Sequence, residues 1–274
     1  MTRKLIIKLA LYLVAILFLI LFGFPFVFTL LSSFKTKMDY MTNLWGLPKA
    51  IFFGNYVTIV NKGFFTYLMN SIIVTMISLT LTLIFSSMAG YAFAKLRFRT
   101  SQILFTLFLV GMMIPVHTTL IPIYQLTKRI GLYNQVAALI GPYISFTLPL
   151  SIFVITAFFK TIPEELREAA LVDGCSHFRI YVQIMLPLSI PALSTVAIVD
   201  FLHTWNEFMY AFILIDDPKR MTLPLGVRFF ASSETADLPA TLTCLLCASL
   251  PVMLFYFAAQ ENVINGLAAG AVKG

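Results

Sequence analysis

Long apolar runs alternate with shorter polar segments along this chain of 274 residues. Six of the runs are long enough to cross a bilayer as helices, since a span takes about 20 residues. The runs are Leu9–Leu31, Tyr67–Ala94, Ile103–Tyr124, Val136–Phe159, Met185–Ile215 and Ala240–Ala259. The pattern therefore predicts an all-α integral membrane protein with six transmembrane helices.

Composition excludes a soluble domain. Hydrophobic residues make up 59% of the chain and charged residues only 11%, with a mean hydropathy of +0.91, whereas soluble domains carry about 25% charged residues. The net charge of +7 would favour nucleic-acid binding in a soluble protein. Here the basic residues lie between apolar runs, so they are interpreted as membrane flanks. Lipid is the expected surrounding, and no nucleic-acid partner is expected.

An even number of spans places both termini on one side of the membrane. Lysine and arginine are almost equally numerous on the two sides, so total counts do not orient the chain. The basic N-terminus and the short loop after the second run, KLRFR at positions 95–99, favour cytoplasmic termini. We predict a first helix with an extracytoplasmic loop at 1–66, a five-helix core at 67–264 and a cytoplasmic tail at 265–274.

The segment after the fourth run is the most charge-dense part of the chain. Thr161 and Glu164 have the spacing of a capping box, Gly174 is a stop signal in the left-handed conformation, and Ser176 can begin a new helix. This predicts a short amphipathic helix, a glycine elbow and a return into the membrane. A helix that lies on lipid should be basic, so its acidic start favours docking in a protein groove. A polar surface loop is the alternative.

Ionisable residues also occur inside the predicted spans. Asp200, His203 and Glu207 have offsets of three and seven, which places them on one face of a helix. Asn206 in the same run and His117 in the proline-interrupted third run are further candidates. Such residues line a translocation path or hydrogen-bond neighbouring helices, and both readings stay open.

Chemistry of other kinds has little support. Cys244 and Cys247 form a C-x-x-C pattern without a second cysteine pair or a histidine cluster, so no metal site is expected. No lysine directly follows a glycine, and the chain therefore lacks a P-loop. We predict no catalytic residue and no cofactor.

The segment after the fourth run matches a known motif. Glu168-Ala169-Ala170, then Gly174, then Ile184-x-Leu186-Pro187 resembles the EAA motif of the permease subunits of ABC importers. Further stretches extend the resemblance to the MalG-type permeases of carbohydrate importers, which have the MetI-like fold. They are Met112–Pro115, GLYN from Gly131, Ile162–Leu166, Trp205-Asn206-Glu207 and Gly266–Gly274. Cys175 departs from the alanine common in the family.

This resemblance implies a function and partners. Positions 162–176 would form a cytoplasmic coupling helix that docks on an ATPase through Glu164, Leu166, Glu168, Ala169, Ala170, Asp173 and Gly174. The tail residues Gly270, Ala271 and Lys273 would reach the ATPase interface. The implied partners are a MalF-like second permease, an ATPase homodimer that uses the ATP, an extracytoplasmic sugar-binding protein and a sugar or oligosaccharide. The location would be a bacterial or archaeal cytoplasmic membrane.

Two alternatives remain. A permease of the same class could carry a solute other than a sugar. A proton-coupled secondary transporter could instead use Asp200, His203 and Glu207 as a relay, although such carriers usually have more spans and inverted repeats.

Overall fold

A computed structural model describes the backbone of residues 2–231 and 237–271 and the side chains of residues 5–231 and 237–258. Every regular element in these ranges is helical. Besides the α-helices there are two 3₁₀ segments, Val136–Leu139 and Pro218–Arg220, and one π segment, Tyr181–Met185. In chain order the helices are α1 (Thr2–Ser33), α2 (Lys37–Thr42), α3 (Gly54–Asn61), α4 (Phe64–Lys95), α5 (Ser101–Gly111), α6 (Val116–Arg129), α7 (Ile140–Thr161), α8 (Glu164–Val172), α9 (His177–Ile180), α10 (Leu186–Leu188), α11 (Ile190–Trp205), α12 (Met209–Leu214), α13 (Leu223–Ala231) and α14 (Leu238–Ala271). The all-helical fold class is confirmed.

Six spans are present if two bent helix pairs count as one span each. Among the described residues, four helical segments are long and apolar enough to cross a membrane alone: Leu5–Ser33, Phe64–Lys95, Val136–Thr161 and Leu238–Ala258. The third apolar run is bent by 98° between Gly111 and Val116. The fifth is bent by 75° between Leu188 and Ile190.

Proline and local turns account for the two bends. Pro115 has an extended backbone, with ψ of 132°, directly before α6, and proline disfavours helix in the residue that precedes it. Ser189 separates α10 from α11, and Pro191 occupies the first turn of α11, where the missing N–H group costs nothing. The sequence predicted where the apolar segments lie and showed prolines that interrupt the third one, but it did not predict the break in the fifth.

The predicted fifth span is too long at its C-terminal end. Helix α11 ends at Trp205, and a short α12 follows after a break. The run therefore does not stay helical to Ile215 as predicted. Apolar composition continues through the break, which is why hydropathy alone did not reveal it.

The chain divides into two compact units, the first formed by Met1–Phe65 and Gly226–Pro251. In this unit the polar stretch after α1 is tied together by buried hydrogen bonds. Asn55 donates to the carbonyl oxygens of Ser33 and Lys35, both at 2.8 Å. The buried Lys35 ammonium in turn donates to the carbonyls of Asn43 and Leu44. These bonds satisfy backbone groups that burial would otherwise leave unpaired.

The second unit comprises Thr66–Leu225 and Val252–Gly274. Helices α4 and α7 approach closely at Gly90, where an added Cβ atom would lie 2.8 Å from Ile155 Cγ2. Hydroxyl pairs also join helices, with Thr82 and Thr147 at 3.1 Å and Ser87 and Tyr181 at 2.7 Å. Small residues and hydroxyl bonds are the usual means by which helices associate in lipid.

Candidate functional site

The elbow after α8 has the predicted backbone geometry. Gly174 has φ of +77°, a conformation that costs a residue with a Cβ atom roughly 1–2 kcal/mol. The N–H groups of Gly174 and Cys175 donate to the carbonyls of Leu171 and Ala170 at 3.0 and 2.9 Å, which is the bonding of a helix ended by a left-handed residue. Ser176 Oγ then accepts from the N–H of Arg179 at 3.3 Å. The glycine stop and the Ser176 cap are confirmed.

The predicted capping box at the start of α8 is wrong. Thr161 is the last residue of α7, and its hydroxyl donates to the carbonyl of Phe158 at 2.8 Å. Pro163 precedes α8 and offers no side-chain cap. Ile162 and Pro163 are extended, which carries Thr161 away from the new helix.

Glu164 instead joins α8 to the end of α4 through ion pairs. Its carboxylate lies 3.2 Å from the ammonium of Lys95 and accepts from Arg167 Nε at 2.6 Å. Lys95 is buried and also donates to the carbonyl of Ile162 at 2.7 Å. Desolvation raises the pKa of Glu164, but the hydrogen bonds and charges of Arg167 and Lys95 outweigh it and hold that pKa below its usual value. The stabilising contribution is therefore present above the ordinary glutamate pKa and lost only as pH falls through the lowered value.

Most of the residues predicted to dock on a partner are accessible. Among these residues only Ala170 is buried, at 7% exposure, whereas Leu166 is 44% exposed and Val172 beside them is 88% exposed. The remaining predicted residues are exposed, apart from the half-buried Glu164: Glu168, Ala169, Asp173 and Gly174. The helix thus presents apolar and acidic side chains outward and is anchored by Ala170 and Glu164.

A cavity of about 140 Å³ lies among α6, α7, α11 and the start of α12. Asp200, His203 and Glu207 all line it. Asp200 is 1% exposed and accepts a hydrogen bond of 2.7 Å from Ser151 on α7. Glu207 accepts from the backbone N–H groups of Tyr210 at 2.8 Å and Ala211 at 3.3 Å.

The three ionisable residues meet for a reason other than the predicted one. Glu207 lies beyond Trp205, where α11 ends, so it does not share a helical face with Asp200 and His203. The turn after α11 directs it to the same cavity instead. Asp200 and Ser151 also bond two helices directly, so cavity lining and helix–helix bonding occur in the same group of residues.

Two predicted path residues lie elsewhere. Asn206 is exposed and its amide donates to the carbonyl of Leu202 at 2.9 Å. His117 is exposed as well, and its neighbour Val116 lines the cavity in its place. The cavity also contains Tyr143 and Tyr210, which the sequence analysis missed. Their only sequence signal was a hydroxyl within an apolar segment.

At the other end of α4 the GLYN stretch forms a clasp between loops. Asn134 has φ of +57°, and its side-chain oxygen accepts from the N–H groups of Asp216 and Asp217 at 3.0 and 2.9 Å. The Tyr133 hydroxyl donates to Asp216, and this bond raises the pKa of Tyr133 to about 12. Asn70 on α4 donates to the carbonyls of Lys219 and Met221. We name Asn70, Tyr133, Asn134, Asp216 and Asp217 the loop clasp.

The loop clasp should be sensitive to Asn134. We expect Asn134→Ala to lower the free energy of unfolding by about 1–3 kcal/mol, because two backbone N–H groups lose their acceptor and alanine tolerates positive φ poorly. Asn134→Gly keeps the backbone conformation and isolates the loss of the amide. Thermal unfolding of the purified protein measures both. If the alanine and glycine variants both unfold like the wild type, the clasp contributes nothing to stability.

The predicted tail residues lie at the limit of the structure. Gly270 and Ala271 belong to the backbone of α14 without described side chains, and Lys273 lies outside the described residues. Their role stays a prediction. Within the residues that the structure describes, no group of three His, Cys, Asp or Glu side chains is placed to hold a metal ion.

Comparisons with known proteins agree on one kind of protein. Residues 83–267 match the family described as binding-protein-dependent transport system inner membrane component. The chain is 48% identical over 251 residues to the candidate ABC transporter permease protein ORF2 of Caldicellulosiruptor sp. (strain Rt8B.4), covering 91% of each chain. It is 32% identical to the arabinooligosaccharides transport system permease protein AraQ of Bacillus subtilis, covering 97% of this chain and 96% of AraQ.

A solved structure supports the fold. A chain of a bacterial ABC transporter involved in the import of the acidic polysaccharide alginate superposes with a TM-score of 0.82 and covers 95% of this chain and 98% of its own. The sequence identity is 19%, so this likeness is evidence for the fold alone.

Proposed function

Because the chain belongs to the family of binding-protein-dependent transport system inner membrane components, we propose that it forms half of the translocation path of an ABC importer for a sugar or oligosaccharide. Relatives support the substrate class, since AraQ is named for arabinooligosaccharide transport. The observation that carries the proposal is the pairing of an exposed helix at one end of α4 with a polar cavity among α6, α7, α11 and α12.

Helix α8 is the coupling helix in this proposal. Its exposed Leu166, Ala169 and Val172 would bury apolar surface in a groove of an ATPase subunit, with Glu168 and Asp173 at the polar rim. Ala170, Glu164 and the Gly174 elbow tie this surface to the rest of the second unit. Movement of the ATPase would thereby reach α4 through Lys95.

The assembly and orientation follow from the same reading. A second permease subunit completes the path, two ATPase subunits bind and hydrolyse the ATP, and an extracytoplasmic protein delivers the sugar. The chain itself performs no covalent chemistry. The end of α4 with Lys95, Arg97 and Arg99 faces the cytoplasm, because short basic loops remain on that side. The loop clasp then faces the exterior.

Uptake by the reconstituted complex tests the proposal. Proteoliposomes that hold this chain, its partner permease and the ATPase should accumulate a labelled neutral oligosaccharide only when the binding protein and ATP are present. Arabinotriose and maltotriose are suitable probes, with an amino acid and a polyamine as non-sugar solutes. Uptake driven by a proton gradient without ATP, or uptake of the non-sugar solutes alone, would contradict the proposal.

Glu207 is expected to act in transport rather than in assembly alone. Glu207→Gln keeps a side-chain oxygen that can accept from the N–H of Tyr210, so the complex should assemble in normal yield. Loss of the charge in the cavity should lower the uptake rate about tenfold. Detergent yield and initial uptake rate are measured together. A reduced yield with an unchanged rate per complex would show that Glu207 only holds helices together.

A further inference from the structure

The cavity described above has the size of one ring. Its volume is about 140 Å³, close to the roughly 150 Å³ of an engineered protein cavity that binds benzene. It is therefore too small for a disaccharide and admits one six-membered ring at most. An oligosaccharide could place only one of its rings in this cavity.

The walls of the cavity suit the two sides of a sugar ring. Phe146 and Tyr210 lie side by side, with ring centroids 5.6 Å apart, and offer an aromatic face for the C–H side of a ring. Tyr143, His203 and the two carboxylates supply hydroxyl partners around it.

Tyr143 places a buried hydroxyl in the wall of the cavity. This residue is 4% exposed, and its hydroxyl lies near the Glu207 carboxylate. A phenol hydroxyl can accept a hydrogen bond as well as donate one. A ligand hydroxyl in the cavity can therefore donate to Tyr143.

Apart from the tyrosines, the ionisable side chains described in the wall are two carboxyl groups and one imidazole, that of His203. Asp200 and Glu207 both line the cavity, and no lysine or arginine is among the described lining residues. A carboxylate on a ligand would lie beside these two acidic groups in a medium of low dielectric constant, with no lysine or arginine among the described lining residues to pair with it. Neutral hydroxyls, in contrast, can donate to both carboxylates.

We infer that this subunit itself binds one non-acidic sugar ring in the cavity and rejects uronic acids. The inference rests on the proposed function and deepens it. It means that this chain contacts the substrate directly and selects substrates by their charge. Asp200 and Glu207 reject the acidic ring, whereas Tyr143 and the aromatic pair hold the neutral one.

Weak sugar binding to the assembled transporter in nanodiscs, without the binding protein, tests this inference. Saturation-transfer NMR reports such binding with two probes, methyl β-D-glucopyranoside and methyl β-D-glucuronopyranoside, which differ only at carbon 6. We expect the glucoside signal to exceed the glucuronide signal at least tenfold in the wild type. Glu207→Gln should narrow this ratio to less than threefold by admitting the glucuronide.

A matched pair of tyrosine variants tests the location. Tyr143→Phe should lower the glucoside signal at least threefold. Tyr91→Phe should leave it unchanged, because Tyr91 is an equally buried tyrosine that does not line the cavity. Equal signals from glucoside and glucuronide in the wild type, or equal effects of the two tyrosine variants, would overturn the inference. Neither result would touch the proposed function, which fails only if ATP-dependent sugar uptake is absent.

Discussion

Gly174→Val is expected to abolish substrate-stimulated ATP hydrolysis while the chain still inserts into the membrane. Gly174 has φ of +77°, and a β-branched residue is a genuine outlier in that region. A Cβ atom added at this position would meet nothing within 4 Å. The effect is therefore one of backbone conformation and not of crowding. The elbow would relax to negative φ and turn α8 away from the direction in which it docks.

A graded series separates this cause from others. Gly174→Asn should retain most of the stimulated turnover, because asparagine tolerates the left-handed conformation. The stimulated ATP turnover of Gly174→Ala should lie between those of the asparagine and valine variants. The measurements are ATP turnover in proteoliposomes and co-purification of the ATPase with tagged permease. If the valine variant retained full stimulated ATP turnover, α8 would not be the element that transmits movement between the ATPase and the permease.

Lys95→Met is expected to lower stimulated ATP turnover at least tenfold. The Lys95 side chain is 5% exposed, and it donates to the carbonyl of Ile162 and pairs with Glu164. A hydrogen bond to a charged group contributes about 1.5–3 kcal/mol, and 1.36 kcal/mol corresponds to a factor of ten. Methionine is one atom shorter than lysine but keeps a similar unbranched apolar stem, so the main loss is the connection between α4 and α8.

The neighbouring Arg97 supplies the control. Arg97 is exposed and forms no ion pair among the described residues, so Arg97→Met removes one positive charge from the same loop without breaking the connection. Its turnover should stay within about twofold of the wild type. Equal losses in the two variants would indicate that the charge of the loop matters and that the Lys95 contact does not.

Local signals in the sequence predicted much of the segment around α8. Gly174 ends the helix and Ser176 begins the next one, since both effects depend on a few adjacent residues. The capping box failed at Thr161 because the chain is extended at Ile162 and Pro163, and the hydroxyl bonds back into α7. Short-range patterns are thus reliable where the capping side chain does not bond to a preceding helix instead, as Thr161 does.

The residues of the cavity show the limit of such patterns. Helical periodicity grouped Asp200, His203 and Glu207, and all three do line one cavity. Periodicity is nevertheless not the reason, since α11 ends at Trp205. It also could not separate Asn206 and His117 from the lining residues, because exposure depends on which neighbouring helix covers each position.

The sequence by itself determined the class of the protein and the approximate positions of six apolar segments, because hydropathy and composition are sums over local residues. Only the tertiary structure decided where two of those segments bend and which distant residues meet. Lys95 bonds to Ile162 across 67 positions, and Asn134 bonds to Asp216 across 82 positions. Such contacts arise because buried charged and backbone groups must find partners wherever packing brings them, and no local pattern records where that will be.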